Sequence, residues 1–223
     1  MTDQTVLVIG AHPDDEVLGA GGAIAKHAAA DESVHVLIVT EGATQQYDDE
    51  SMVNQKVSEA RECADRLGVE SVRFGELPDM RLDDVPHVEV NAAIEAAVDD
   101  IAPDVVYTHS DREVNIDHRA VHESTIVATR PKSGVERVLT YEVPSSTDWV
   151  GGSERFEPNV YVDISDYLDA KLEAFRAYES ETREYPHPRS SKGIKARARS
   201  RGIEAGFGAA EAFNLLKSYR EEP

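Results

Sequence analysis

The sequence predicts an α/β protein with a Rossmann-like, mostly parallel sheet and helices on both faces. Short β-branched runs alternate with stretches of helical period, the runs are apolar throughout, and turn or capping residues separate them. A strand that is apolar at every position needs cover on both faces. A parallel sheet wrapped by its own crossover helices provides that cover.

Thr5–Gly10 (TVLVIG) is the first such strand, ending in glycine. Val17–Ala30 is small and apolar enough for a helix, and Val34–Thr40 (VHVLIVT) is a second strand stopped by Glu41 and Gly42. Ser51–Leu67 sets Val53, Val57, Ala60, Ala64 and Leu67 at helical spacing and closes on Gly68, which suits a left-handed C-terminal cap. Ser71–Phe74 reads as a short strand, Val88–Ile101 as a helix stopped by Pro103, and Asp104–Thr108 as a strand. Asp117–Thr129 is a helix ended by Arg130-Pro131, and Arg137–Glu142 a further strand. Val160–Ile164 and the helix Asp166–Ser180 complete the alternation. The remainder, Glu181–Pro223, carries a basic cluster and the stretch GIEAGFGAAEAF; it reads as a loop, a helix and a final segment of no assigned type. No repeat, low-complexity tract or linker divides the chain, so one domain spanning 1–223 is expected.

The charge narrows the partners. Asp and Glu number 43 against 23 Lys and Arg, a net charge of −20, which argues against nucleic acid and anionic membrane. The acid is dispersed and lysine is sparse. Such a coat suits concentrated salt, where screening removes self-repulsion, so a halophilic source is expected. No apolar run approaches the roughly 20 residues of a membrane helix. The opening MTDQ carries no basic leader. A soluble, cytoplasmic protein is the expectation, with homo-oligomerisation left open. The single cysteine, Cys63, lies in a helical pattern and reads as a small core residue.

Chemistry enters where the first strand ends. In open α/β sheets ligands bind beyond the carboxyl ends of the strands, and VLVIG runs there into His12-Pro13-Asp14-Asp15-Glu16. An imidazole and a carboxylate three residues apart around a proline-stiffened turn, His12 and Asp15, can face one ion while Asp14 stays free. Mixed nitrogen and oxygen donors suit zinc with an open position for water, with another divalent ion left open. A third ligand must come from another strand end, and DVVYTHSDREVNIDHRAVHE offers His109, Asp111, Asn115, Asp117, His118 and His122. A helix beginning near Asp117 puts His118 in its first turn, beside the sheet edge, and His122 one turn deeper; His118 is preferred. Asp117 is also a candidate N-cap. Glu16 either supports the site or simply suits the start of a helix. The glycines Gly19, Gly21 and Gly22 lack the G-x-G-x-x-G spacing of a dinucleotide site and read instead as close helix–sheet packing.

AHPDDE (Ala11–Glu16) followed by paired glycines, with a later D-H-R-x-V-H, resembles the LmbE-like (PIG-L) family of zinc-dependent deacetylases. TEGA (Thr40–Ala43), YEVPSSTDW (Tyr141–Trp149) and YPHPRS (Tyr185–Ser190) extend the likeness over nearly the whole chain, toward a branch associated with polysaccharide and antibiotic-sugar modification. The resemblance implies removal of an acetyl group from an N-acetylglucosamine-containing sugar or glycoconjugate. It implies zinc on His12, Asp15 and His118, and Asp14 as the general base that takes a proton from metal-bound water. On that reading Asp14 starts ionised beside the cation. Asp117, Asn115, His187 and Lys56 would support the ligands or touch substrate. Two positions depart from the family pattern. Asn115 stands where H-x-D-H has its first histidine, leaving His187 or His109 to replace it, and Lys56 stands where R-x-x-E-A has arginine. Hydrolysis of another small amide conjugate and non-catalytic sugar binding are the rival readings.

Overall fold

The structure, a computed structural model, describes residues 4–42, 51–152 and 155–219. Ala43, the last residue of the TEGA stretch, lies outside them. Seven strands form one sheet: β1 (Thr5–Gly10), β2 (Ser33–Thr40), β3 (Ser71–Leu77), β4 (Val105–His109), β5 (Arg137–Tyr141), β6 (Val160–Asp163) and β7 (Ala210–Ser218), in the order β3-β2-β1-β4-β5-β7-β6. The first five are parallel, as the apolar runs predict.

Side chains of β1 alternate between two cores, because successive strand residues point to opposite faces. Val6 and Val8 join the core under α1 (Asp15–Ala29), α2 (Ser51–Leu67), α5 (Leu168–Phe175) and α6 (Ser191–Ala205). Leu7 and Ile9 join the core under α3 (His87–Ile101) and α4 (Ile116–Ala128). Cys63 is fully buried in the first of these cores.

The carboxyl end of the sequence differs from its reading. The segment left unassigned becomes β7, antiparallel to both β5 and β6. The strand at Val160 therefore joins through β7 as an edge rather than extending the parallel series. The helix expected over Asp166–Ser180 stops at Phe175. Beyond it the chain tightens into turns (Tyr178 N–H to Phe175 O, 3.0 Å) and the Tyr178 hydroxyl donates to Glu16 at 2.6 Å, drawing the segment to the carboxyl edge.

Two glycines of α1 serve close packing. A Cβ at Gly19 would stand 2.2 Å from the Tyr141 ring, and one at Gly22 2.7 Å from Ile164 Cδ1. The helix thus lies low on the sheet, with its first turn against the ends of β1 and β4. These strands flank the point where the strand order reverses direction, which is where such sheets open a crevice.

Candidate metal centre

Between β1 and α1 the chain makes a tight turn. His12 N–H donates to Asp15 Oδ2 (2.8 Å) and Asp15 N–H returns to His12 O (3.3 Å). Closing this turn places Asp14 at φ 112°, a region that costs a non-glycine residue about 1–3 kcal/mol and persists only where surroundings impose it. Across the crevice, His118 comes from the first turn of α4.

Three donors converge. His12 Nδ1 lies 3.2 Å from His118 Nε2 and 3.3 Å from Asp15 Oδ2, and His118 Nε2 lies 3.4 Å from Asp15 Oδ1. All three residues are buried, and Asp15 Oδ1 has no hydrogen-bond partner among the described residues. Two donors each about 2.0–2.1 Å from one tetrahedral ion stand roughly 3.3 Å apart, so these separations and this donor set fit zinc.

The outer nitrogen of each histidine is fixed by a carboxylate. His12 Nε2 donates to Asp117 Oδ2 (3.1 Å), whose other oxygen accepts the Leu82 N–H (3.0 Å). His118 Nδ1 donates to Glu113 Oε2 (3.2 Å), and Glu113 in turn accepts the Ser146 and Thr147 hydroxyls. Such partners set the tautomer and raise the basicity of a ligating imidazole. The groupings His109–Glu113–His118 and His12–Asp79–Asp117 are also compact enough to hold an ion. In them Glu113 and Asp117 are already committed to hydrogen bonds with the outer nitrogens of His118 and His12.

The electrostatics favour positive charge here. Burial alone would lower His12, but its hydrogen bonds to Asp117 and Asp15 and the charges of Asp15 and Asp79 raise it to about 10. Burial pushes Asp15 up, yet the field of His118 and the hydrogen bond from His12 hold it well below the usual carboxylate range. Asp79, 3.6 Å from His12 Nε2 and with neither oxygen hydrogen-bonded among the described residues, is raised by burial to about 6. A divalent cation would balance this excess of carboxylate.

Asp14 is outside the donor set. Burial pushes it well above the usual carboxylate range, Arg189 pulls it down, and Asp15, Glu181 and Glu16 add to the rise. Without a bound ion its surroundings therefore favour the protonated form. The sequence expectation of an ionised start belongs to the metal-loaded site, where a bound cation would lower Asp14 again. The cation actually beside it is Arg189, whose Nη1 donates to Asp14 Oδ2 at 2.7 Å and Glu181 Oε2 at 3.0 Å. Lys56, buried in α2, holds that same Glu181 and donates to Ser180 Oγ at 2.7 Å. Lys56 is thus tied to Asp14 through two intervening side chains.

Other positions fall differently from their sequence reading. Asp117 is not the N-cap of α4. Asn115 is, its Oδ1 accepting the Asp117 N–H at 2.9 Å, because the helix begins one residue earlier and the Asp117 side chain turns to His12. Asn115 Nδ2 faces Met80 Sδ at 3.7 Å. His109 is stacked on His118 (centroids 4.0 Å apart), its Nε2 accepting the Ala11 N–H; burial and the nearby His118 lower it to about 4, so it is neutral and unsuited to a cationic role. His122 donates to His109 O at 2.8 Å, away from the donor set. Glu16, accepting from Tyr178 and from the Asp14 N–H, supports the turn and is raised by burial to about 7. His187 lies outside the cluster, edge-on to Trp149, with its Nδ1 accepting the Arg189 N–H at 3.1 Å. Sequence reasoning missed Arg189, Glu113 and Asp79. The last two carried a faint signal, being acidic residues just past the ends of β4 and β3; Arg189 was one of many basic residues in its stretch.

Fold and cluster together define an α/β protein with a buried histidine–carboxylate constellation, able to hold a metal, at the switch point of its sheet. The chain belongs to the PIG-L: GlcNAc-PI de-N-acetylase family, whose model matches residues 7–129. It is 29% identical over 184 residues to the uncharacterized deacetylase YaiS of Escherichia coli (strain K12), covering 78% of this chain and 90% of that protein. It is also 29% identical over 188 residues to the diacetylchitobiose deacetylase of Thermococcus kodakarensis, covering 79% and 69%. Among solved structures, the conserved protein TT1542 of Thermus thermophilus superposes with a TM-score of 0.75 at 26% identity, over 100% of this chain and 98% of that one. The zinc-inhibited form of the teicoplanin deacetylase Orf2, 19% identical, shares the fold with a TM-score of 0.80 over 98% and 100%.

Proposed function

We propose that the protein is a zinc-dependent hydrolase that removes the acetyl group from an N-acetylated amino sugar or its glycoconjugate, with Asp14 as general base. The observation that carries this is the convergence of His12, Asp15 and His118 at 3.2–3.4 Å, with a buried carboxylate, Asp14, left outside the set. Family membership and the likeness to a diacetylchitobiose deacetylase support the acetamido sugar as substrate. When bound, zinc acts as a Lewis acid toward the acetyl carbonyl and lowers the pKa of water toward about 7.

The chain's residues supply the rest. Asp14 takes a proton as water adds to the carbonyl carbon and returns one to the nitrogen as the C–N bond breaks, so acetate and a free amine leave. Arg189 holds one Asp14 oxygen and leaves the other for this exchange. Asp117 and Glu113 keep the two imidazoles in their ligating tautomers. Asn115 can donate a hydrogen bond but carries no titratable proton, and its oxygen is occupied by the helix cap.

The test is acetate release from N-acetylglucosamine and N,N'-diacetylchitobiose, with and without a chelator. Release that stops on chelation and returns with zinc is the expected outcome. Absence of release from every N-acetylated sugar would overturn the reading in favour of another amide or of simple sugar binding.

A further inference from the structure

The loop after β5 carries the chain's one tryptophan, Trp149, with 60% of its surface exposed. A lone exposed apolar side chain needs no explanation. This one is distinguished by how its loop is tied to the site. The hydroxyls of Ser146 and Thr147 donate to Glu113, the residue that orients His118. Ser145 Oγ accepts from Arg189 Nε at 2.9 Å, and Arg189 holds Asp14. A short 3-10 turn, Thr147–Trp149, then presents the indole two residues past the Glu113 anchor.

The second wall comes from the loop bearing Arg189. His187 meets Trp149 edge to face, with centroids 6.3 Å apart and planes at 86°. Its ring is fixed through Nδ1 by the Arg189 N–H. Beside this pair the two loops and α6 border an open groove of about 290 Å³, lined by Pro144, Asp148, Pro188 and Arg197. Ion pairs of Arg197 with Glu142 and Asp148 stand along it.

That combination selects among ligands. A pyranose ring offers a face of C–H groups to an aromatic surface and a rim of hydroxyls to charged side chains. An acyl chain would have to lie against ion pairs it cannot satisfy. We propose that Trp149 and His187 form a stacking subsite for the pyranose next to the acetamido sugar, so that the preferred substrate is an N-acetylated oligosaccharide rather than the free monosaccharide. This rests on the deacetylase reading above.

Because Trp149 is the only tryptophan, its emission reports the subsite directly. Wild type, Trp149→Ala and Trp149→Phe would be assayed for acetate release from N-acetylglucosamine, N,N'-diacetylchitobiose and the trisaccharide. Wild-type emission would be followed by stopped flow on mixing with each sugar. We expect a saturable change with the di- and trisaccharide and none with the monosaccharide. For Trp149→Ala we expect KM for the disaccharide raised about tenfold, the scale of one aromatic stacking contact, with monosaccharide turnover unchanged and Trp149→Phe largely restoring the loss. Equal kcat/KM for all three sugars, with Trp149→Ala indistinguishable from wild type, would overturn the subsite and leave the deacetylase standing. A saturable change in emission without acetate release would keep the subsite and overturn the activity. Loss of both the emission change and acetate release would overturn both.

Discussion

Asp14 departs from ordinary behaviour twice, in its positive φ and in a titration pushed upward by burial, and both follow from the turn that brings His12 and Asp15 together. Asn tolerates the left-handed region better than most residues, so Asp14→Asn removes the proton carrier while sparing the backbone. We predict kcat lowered about 10²- to 10⁴-fold at unchanged zinc content, measured by acetate release beside metal analysis. A variant with the wild-type rate would remove Asp14 from the role of base. The outer carboxylates give an independent check. Glu113→Gln and Asp117→Asn keep the shape but weaken the hold on His118 and His12, and each should lower zinc affinity about 10- to 100-fold in competition with a chelator. Affinity equal to wild type in both would show that these hydrogen bonds do not tune the centre.

At the scale of elements, α1 governs the site because it carries Asp15 and lies close enough to the sheet to put that residue beside β4. Gly19 and Gly22 permit the approach, since Tyr141 and Ile164 occupy the space of a side chain. Tyr141 is itself anchored, its hydroxyl donating to Ile9 O at 2.6 Å, so it has little room to retreat. Gly19→Ala should therefore destabilise by about 1–3 kcal/mol despite alanine's better helix propensity, as a shifted urea midpoint would show. Stability equal to or above wild type would mean that the helix can lift without penalty. The loops after β4 and β5 and the segment after α5 matter in the same way. They deliver Glu113, then Ser145, Ser146 and Thr147, then Tyr178, Glu181 and Arg189, to a crevice that no one element builds.

Over the whole molecule two charge effects can be separated. In metal-free protein His12 keeps its proton to about pH 10, whereas the unfolded chain releases it near the ordinary 6.5. The folded state thus binds more protons between these values. The stability this confers is full below pH 6.5 and is lost as pH rises toward 10. Urea midpoints of metal-free protein should fall across that window and those of zinc-loaded protein should not; a flat metal-free profile would contradict the electrostatics of the pocket. The net charge of −20 acts differently, as dispersed self-repulsion that salt screens over a Debye length of about 3 Å at 1 M. If the acidic coat is an adaptation to concentrated salt, thermal stability should keep rising into molar KCl. A plateau below about 0.2 M, where the Debye length is already near 8 Å, would mark an ordinary acidic protein.

The strand and helix order from Thr5 to Tyr141 was legible because apolar runs and helical spacing are local, and parallel strands buried on both faces leave a strong apolar trace. The clustering of His12, Asp15 and His118 could be anticipated because α/β topology places strand ends together. What escaped was set by distance in sequence. β7 is held by pairing with β5 and β6, and its own residues carry no clear period. The Asn115 cap and the turn of Asp117 toward His12 depended on a one-residue choice of helix start. Arg189 reaches Asp14 across 175 positions, and Lys56 reaches Glu181 across 125. The sequence by itself determined the five parallel strands, their crevice and three residues able to hold a metal, since these follow from local pattern. Only the tertiary structure decided which carboxylate backs which histidine and which cation restrains Asp14, because a partner for a buried charge is selected by packing rather than by proximity along the chain.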